Sequence, residues 1–300
     1  MAKKRDVIVA VIIGLGVIMM FGFFAFVMIG TFAPSDGVEF SSLSGGNVGV
    51  LEIAGEINEE SGRPWIKQLE KWQKSRSIEA VVLHINSPGG GTAISQEIHD
   101  AVVRLKAEKP VVASMASVAA SGGYYIACAA DKIIANPSSV TGSIGVIFQF
   151  HTFKDLMGKV GIGTEVVKSG ELKDVGNYSR PMTEKENLML RSVVMDTYEQ
   201  FVDAVAEGRK MEKDQVYPLA DGSIFTGSQA YNLGLVDTLG GLKEAVDIAG
   251  QMAGIIDPEV VTPYAKEKVS IFDLIGGAVG AINTKLQGTV ETPQLMFIFQ

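Results

Sequence analysis

The stretch VVASMASVAASGGYY, residues 111–125, organises this chain. It begins behind Pro110 as an apolar strand and ends in small residues, with Ser121 followed directly by Gly122 and Gly123. A serine on the turn between a buried strand and a helix can hold its hydroxyl clear of the core, beside the free N–H groups of the helix. The same residues are also typical of a serine helix cap followed by turn glycines. The stretch alone therefore leaves a nucleophile and a helix cap as alternatives.

Apolar strands and amphipathic helices alternate on both sides of this stretch. Strands are predicted at 48–57, 79–86, 110–116, 131–137, 142–150 and 164–170, and helices at 62–75, 92–108, 153–161, 183–207, 226–234 and 241–254. Such alternation with short connections implies right-handed crossovers and a mainly parallel sheet. Sites in these sheets form at the carboxyl ends of the strands. We therefore expect the glycine-rich loops 87–91 and 121–123, which both follow strands, at the same edge.

Composition excludes several classes of protein and site. The net charge is −8 and the basic residues form no stripe, so a nucleic-acid partner is not expected. The single cysteine, Cys128, excludes an intrachain disulfide and a zinc site built from cysteines. Neither P-loop nor GxGxxG spacing is present, so no phosphate or dinucleotide cradle is predicted. We expect neither a cofactor nor a metal.

An apolar run at 7–32 follows Lys3, Lys4 and Arg5 and contains no charged residue. It is long enough to cross a bilayer as a helix, with the basic flank in the cytoplasm. A cleavable signal peptide would have a shorter apolar core ending in a small-x-small site. We therefore predict a cytoplasmic segment at 1–6, a single-pass anchor in the cell membrane at 7–32, and the rest of the chain on the extracytoplasmic side.

The remaining chain divides into three segments. Residues 33–46 are rich in Ser and Gly and predict a flexible linker, and residues 47–255 predict the folded domain. The pattern weakens over 256–300, where the apolar stretch 269–283 is too short and too interrupted to span a membrane. The apolar end, LMFIFQ at 295–300, has two interpretations. It is either the occupant of a peptide groove or assembly contact, or a disordered or packed terminus.

A serine nucleophile needs a base, and the chain offers histidines and lysines. His84 lies in mid-strand, His99 is predicted on the solvent side of its helix, and His151, which begins a loop, is the only plausible histidine. A lysine can serve instead if burial leaves it neutral. Lys168 ends a predicted strand and Lys173 lies in the next loop, although both are also typical surface lysines.

Two further motifs could complete such a site. The glycines of SPGGG, residues 87–91, would let backbone N–H groups face a developing negative charge as an oxyanion hole. A hydroxyl of Thr141 or Ser143 could hold a neutral lysine by a hydrogen bond. Without a nucleophile beside them, both motifs would be ordinary turns.

Together, several motifs resemble the signal peptide peptidase A family. They are SPGGG, ASGGYY, TGSIGV, KSGELKD (168–174) and TGSQAYNLGLVD, in the family's order and within about 47–250. The resemblance implies an α/β fold of the Clp protease/crotonase type, with repeated ββα units and a mainly parallel sheet, beside one N-terminal transmembrane helix. It also implies a serine peptidase that uses a Ser/Lys dyad.

The resemblance assigns roles to individual residues. Ser121 matches the nucleophile and Lys173 the general base, with Lys168 as the fallback base. Gly90 matches an oxyanion donor, and Ser143 matches the residue that orients the lysine. The N–H of Gly122, beside the nucleophile, is expected as a second donor by geometry.

The resemblance also implies partners. The family degrades signal peptides left in the membrane after cleavage, favours small or apolar residues, and assembles as homo-oligomeric rings or domes. This chain is similar to the short form with one catalytic domain, which implies that a neighbouring protomer can complete the site. A crotonase-type acyl-CoA enzyme shares the fold but has little use for an anchor or for Ser121 with Lys173. A non-enzymatic membrane scaffold would have no reason to keep both residues.

Overall fold

The computed structural model describes residues 46–263 and the backbone of residues 295–298. The predicted cytoplasmic segment 1–6, the anchor 7–32 and all but the last residue of the linker 33–46 lie outside the described residues. Within the described ranges, no helix is both long and apolar enough to cross a membrane.

Strands and helices alternate along the described chain, as the apolar periodicity predicts. The strands are β1 Val48–Ala54, β2 Ala80–Ser87, β3 Gly89–Gly91, β4 Val111–Ala120, β5 Lys132–Ala135, β6 Val140–Gly142, β7 Ile147–Phe148, β8 Ile224–Thr226, β9 Thr238–Leu239, β10 Val260–Val261 and β11 Leu295–Ile298. The helices are α1 Glu59–Lys74, α2 Thr92–Lys106, α3 Gly122–Ala127, α4 Lys154–Val160, α5 Glu184–Arg209, α6 Lys213–Val216, α7 Gly227–Asn232 and α8 Leu242–Ala253, with a 3-10 turn at Tyr217–Leu219.

A mainly parallel mixed sheet forms the centre of the domain, with strands in the order β10-β1-β2-β4-β5-β9. Strand β4 has a double role in it. Its first half pairs in parallel with β2 and β5, and its last residues pair in parallel with β6, where Ala120 lies opposite Gly142. Strand β8 then pairs antiparallel with β6. Ser121 therefore follows the end of the central strand, at the edge where sites form in such sheets.

Apolar side chains cover both faces of this sheet. On one face the core includes Leu69 of α1 and Ile98 of α2. On the other it includes Ala245 and Ala249 of α8. Burial of one leucine or isoleucine side chain of this core stabilises the folded state by about 1.5–3 kcal/mol. This two-sided packing explains why β2 and the first half of β4 are nearly continuous apolar runs rather than alternating ones.

Three predictions of secondary structure are wrong. Residues 164–170 form no strand, and all of them are exposed, because no neighbouring strand pairs with them. Only two short parts of the predicted strand 142–150 are extended: Gly142, which ends β6, and the two residues of β7. Residues 89–91, predicted as part of a loop, form β3, which pairs with a strand about two hundred residues further along the chain.

Candidate active site

Ser121 occupies a strained turn between β4 and α3. Its backbone has φ 51° and ψ −115°, and a positive φ is uncommon for a residue with a side chain. The Ser121 N–H donates to the Gly142 carbonyl at 2.8 Å, and its carbonyl accepts from the Tyr125 N–H at 2.8 Å. Its side chain makes no capping hydrogen bond to α3, which removes the helix-cap interpretation. A strained strand-to-helix turn of this kind is typical of the elbow that carries a serine nucleophile.

The Ser121 hydroxyl is a buried polar group without a partner. The residue is 0% exposed, and Oγ has no hydrogen-bond partner among the described residues. Leaving a buried hydroxyl unpaired costs about 1–3 kcal/mol. The fold therefore holds at this position a hydroxyl that is available to a base or a substrate.

The two glycine-rich loops meet at this turn, as their positions after parallel strands predict. A Cβ placed on Gly122 would lie 2.8 Å from the Ser95 Oγ and 3.3 Å from the Gly90 nitrogen. A Cβ placed on Gly90 would lie 2.0 Å from the Ile57 carbonyl oxygen. Only glycine allows such close backbone approaches, so both positions require it.

Hydrogen bonds hold the SPGGG loop in one conformation. The Ile57 N–H donates to the Gly89 carbonyl at 2.8 Å, and the Gly91 N–H donates to the Ile57 carbonyl at 2.8 Å. The Gly89 N–H donates to the buried Ser87 Oγ at 3.1 Å. A loop fixed in this way can present backbone N–H groups without rearranging during a reaction.

Ser143 lies in the turn beside Ser121. It follows Gly142, whose carbonyl binds the Ser121 N–H, and its own N–H donates to the Ser223 carbonyl at 2.7 Å. Like Ser121 it is buried and has a positive φ, of 50°. Its hydroxyl makes no hydrogen bond within the described part of the chain. The structure thus brings together Ser121, Gly122, Gly90 and Ser143 from three separate stretches of the chain.

The two candidate lysines have different surroundings. The Lys168 Nζ donates to the Glu171 carbonyl at 2.9 Å and to the Asp174 carboxylate at 2.5 Å. The Lys168 amine is therefore already engaged by two acceptors of its own loop. The Lys173 side chain is exposed and makes no hydrogen bond or ion pair with any described residue. No hydrogen bond joins either lysine to Ser121.

None of the histidines is hydrogen-bonded to Ser121. The His84 Nδ1 lies 3.4 Å from the Ser114 Oγ, within the sheet, and His151 is exposed. The prediction that His99 lies on the solvent side of its helix is wrong. Its side chain is only 15% exposed, and the centre of its ring lies 5.0 Å from the centre of the Tyr125 ring. Burial lowers the pKa of His99.

Cys128 is not a competing nucleophile. It is buried as predicted, and burial raises the pKa of its thiol to about 12. A thiol with this pKa is not ionised near neutral pH and is inert.

A strand of the same chain lies alongside the SPGGG loop. Strand β11 runs antiparallel to β3 and to β7, between them, with Phe297 opposite Gly90 and Met296 opposite Ile147. It also lies against α2 and α3. The backbone of 295–298 therefore fills the groove between β3 and β7, near the Ser121 turn, which agrees both with the occupant of a peptide groove and with a packed terminus. The groove accepts an extended peptide as the middle strand of a small sheet.

Comparison with known proteins adds a family to this geometry. The family model for peptidase family S49 matches residues 103–255, and the model for Clp protease matches residues 47–141. A relative in Synechocystis sp., named as a candidate protease, is 40% identical over 211 residues, or 70% of this chain and 76% of its own.

Two further relatives carry more specific names. One from Enterococcus faecium, named as a candidate signal peptide peptidase SppA, is 37% identical over 71% of this chain and 64% of its own length. Protease 4 of Haemophilus influenzae is 36% identical over 74% of this chain, which spans only 36% of that longer protein. The chain therefore belongs to peptidase family S49 and is a serine peptidase with a Clp protease-like α/β fold.

Proposed function

We propose that this chain is a membrane-anchored endopeptidase that degrades signal peptides remaining in the membrane after cleavage, together with other apolar peptides. The observation that carries the proposal is the buried, unpaired Ser121 hydroxyl beside a groove that already holds a peptide strand. The name of the Enterococcus faecium relative supports the signal-peptide substrate. The apolar run 7–32 supports an anchor that keeps the domain beside such peptides, outside the cytoplasm.

The mechanism uses Ser121 as nucleophile and Lys173 as base. The neutral Lys173 amine takes the proton of the Ser121 hydroxyl, and Oγ attacks the carbonyl carbon of the scissile bond. The N–H groups of Gly90 and Gly122 stabilise the oxyanion. The C–N bond then breaks as the Lys173 ammonium gives its proton to the leaving amine. Water, deprotonated by the same lysine, hydrolyses the acyl-enzyme and restores Ser121.

Ser143 is the residue that orients the base. Ser143 is only 8% exposed and lies in the turn beside Ser121, and its hydroxyl has no partner among the described residues, so it can accept a hydrogen bond from the Lys173 ammonium. Lys168 is the weaker candidate, because its amine is already bound by the Asp174 carboxylate and the Glu171 carbonyl.

Within the described residues no hydrogen bond joins Ser121 to Lys173, which supports a site that is shared between copies in a homo-oligomeric ring or dome. Lys173 is exposed, and so is an apolar surface that precedes it in the chain. Its members are at least half exposed and comprise Phe153, Leu156, Val160, Ile162 and Val167. An apolar surface of this kind is typical of an interface. A second copy seated on it would bring one copy's Lys173 towards the other's Ser121.

The direct test uses the full chain in detergent or vesicles with a synthetic signal peptide. We expect a fluorophosphonate to label Ser121, and we expect Ser121→Ala and Lys173→Ala to abolish cleavage, while Lys168→Ala retains it. Full cleavage by Ser121→Ala would refute the nucleophile, and equal retention by Lys173→Ala would refute the base. Failure of the probe to label Ser121 would favour an acyl-CoA enzyme of crotonase type.

A further inference from the structure

A cluster of charged side chains joins the loop that carries Lys173 to the start of α5. Arg180 is its centre. Its guanidinium donates to the Asp174 carboxylate through Nε at 3.2 Å and Nη2 at 2.9 Å. It also donates to Glu186 through Nη1 at 2.9 Å and through Nη2. Planar guanidinium groups that bind two carboxylates at once fix the relative position of both.

The Glu186 end of this cluster is rigid. Glu186 is 1% exposed, and its carboxylate also accepts from the Thr183 N–H at 2.7 Å. The Thr183 hydroxyl accepts in return from the Glu186 N–H at 3.3 Å, which completes the capping box that the sequence predicts. Hydrogen bonds from Arg180 and from the Thr183 N–H lower the pKa of Glu186 to about 2.

At the other end of the cluster, Asp174 is the residue that follows Lys173 in the chain. Its carboxylate also accepts from Lys168, and the Arg180 Nη2 donates to its carbonyl at 3.4 Å. Hydrogen bonds from Arg180 and then Lys168 hold the pKa of Asp174 well below its usual range. Arg180 thus ties both the side chain and the backbone of Asp174 to Glu186 of α5, whereas the Lys173 side chain has no partner among the residues that the structure describes.

We propose that Asp174 and Arg180 are positioning residues for Lys173. Together they hold the loop that carries Lys173, and the positive charge of Arg180 compensates the Asp174 carboxylate that lies next to Lys173 in the chain. This inference rests on the proposed role of Lys173 as base. The cluster is neutral, since Asp174 and Glu186 are balanced by Lys168 and Arg180. The other charged pair of this loop, Glu171 with Lys185, is balanced too. These side chains therefore place no net charge beside the loop position that carries Lys173.

The proposal predicts opposite effects of two substitutions on the pH dependence of kcat. Arg180→Met leaves the negative charge of Asp174 less compensated, so the acidic limb of the pH–rate profile should move to higher pH. Asp174→Asn removes that negative charge, so the limb should move to lower pH. A shift of about half a pH unit changes activity on that limb roughly threefold. Both shifts should shrink in high salt, because exposed charges are screened.

Control variants separate this inference from folding and from the proposed function. Lys243→Met removes one cation from the exposed Lys243–Asp247 pair on α8 and should leave the profile unchanged. Arg180→Lys keeps the charge without the fork, so it should keep the limb in place while kcat falls. Melting temperatures identify variants that merely unfold.

Two outcomes would overturn the positioning role. One is lower kcat in both Arg180→Met and Asp174→Asn without a shift of the limb, and the other is a shift in the same direction in both. If Lys173→Ala is inactive while the limb does not move, only this inference fails. If Lys173→Ala remains active, the proposed base itself fails.

Discussion

The N–H of Ser121 donates a 2.8 Å hydrogen bond to the carbonyl of Gly142, so the last residue of β6 fixes the turn at the end of β4. This single bond places Ser121 and Ser143 on neighbouring turns, both with a positive φ. Among the described residues, Lys210 is the only other residue besides glycines with a positive φ, and it caps the end of α5. Backbone strain concentrated at two adjacent hydroxyl residues is typical of a functional site.

Ser121→Ala should stabilise the protein while it abolishes peptidase activity. It removes a buried hydroxyl that has no partner in the described structure, so the free energy of unfolding should rise by about 1 kcal/mol. Urea titration of both proteins measures the difference. A clear loss of stability would show that the hydroxyl is satisfied in solution and would weaken its assignment as the reactive group.

Gly90→Ala should reduce kcat by about 10²-fold or more, because the loop that supplies an oxyanion donor must move. Its Cβ would lie 2.0 Å from the Ile57 carbonyl oxygen, a backbone atom that cannot yield cheaply. Gly254→Ala after α8, where φ is also positive but a Cβ would meet nothing within 4 Å, is the matched control and should keep a normal kcat. Normal turnover by a folded Gly90→Ala variant would contradict the assigned role.

Mixing two inactive variants should restore activity if the site is shared between copies. Ser121→Ala subunits retain Lys173, and Lys173→Ala subunits retain Ser121, so mixed assemblies contain some complete sites. We expect about a quarter of wild-type activity after co-expression or subunit exchange at an equal ratio, because random pairing gives each site an intact Ser121 half of the time and an intact Lys173 half of the time. Two variants that assemble together and remain inactive would place Lys173 and Ser121 of one site in one copy.

Deletion of residues 292–300 should increase the cleavage of short peptides. Strand β11 occupies the groove between β3 and β7, so its removal frees the backbone groups that a substrate would use. The apparent KM for a short fluorogenic peptide should fall, and a synthetic LMFIFQ peptide should restore inhibition. If neither activity nor oligomer size responds to the deletion, the tail has no role in the groove.

Acid should destabilise the start of α5 through Glu186. The pKa of this group is lowered from 4.5 to about 2 in the folded protein, so its contribution is present above about pH 4.5 and is lost as the pH falls towards 2. Thermal melts from pH 6 to pH 2 should therefore show a smaller decline for Glu186→Gln than for the wild type. Equal declines in both proteins would show that another group controls acid stability.

Local sequence patterns predict the central strands, the helices and the Ser121 turn, because these elements depend on residues close together in the chain. The strand predicted at 164–170 fails because Val166 and Val167 have strand propensity without a partner strand, and both are exposed. Strand β3 could not be predicted, since Gly89–Gly91 has no such propensity and is defined by β11. The side chain of His99 is largely covered by Tyr125, which lies on another helix and which local sequence does not place there.

The residues alone leave Lys168 and Lys173 as alternatives, and only the resemblance favours Lys173. The ion pair of Lys168 with Asp174 adds a physical difference between the two lysines that local sequence does not contain. The contacts of Arg180 were missed as well. Their one sequence signal is the regular spacing of Asp174, Arg180 and Glu186, six residues apart, with Glu186 in a predicted capping box.

The groove between β3 and β7 binds its occupant by the backbone, with a strand on each side. A segment can make these contacts only when it is extended, whereas a peptide inside a bilayer is stable as a helix, with its own backbone groups satisfied. A membrane peptide must therefore unwind over several residues before it can enter. The protein would then select by ease of unwinding, so that glycine or proline near the scissile bond would favour cleavage and folded domains would be spared without any dedicated recognition surface.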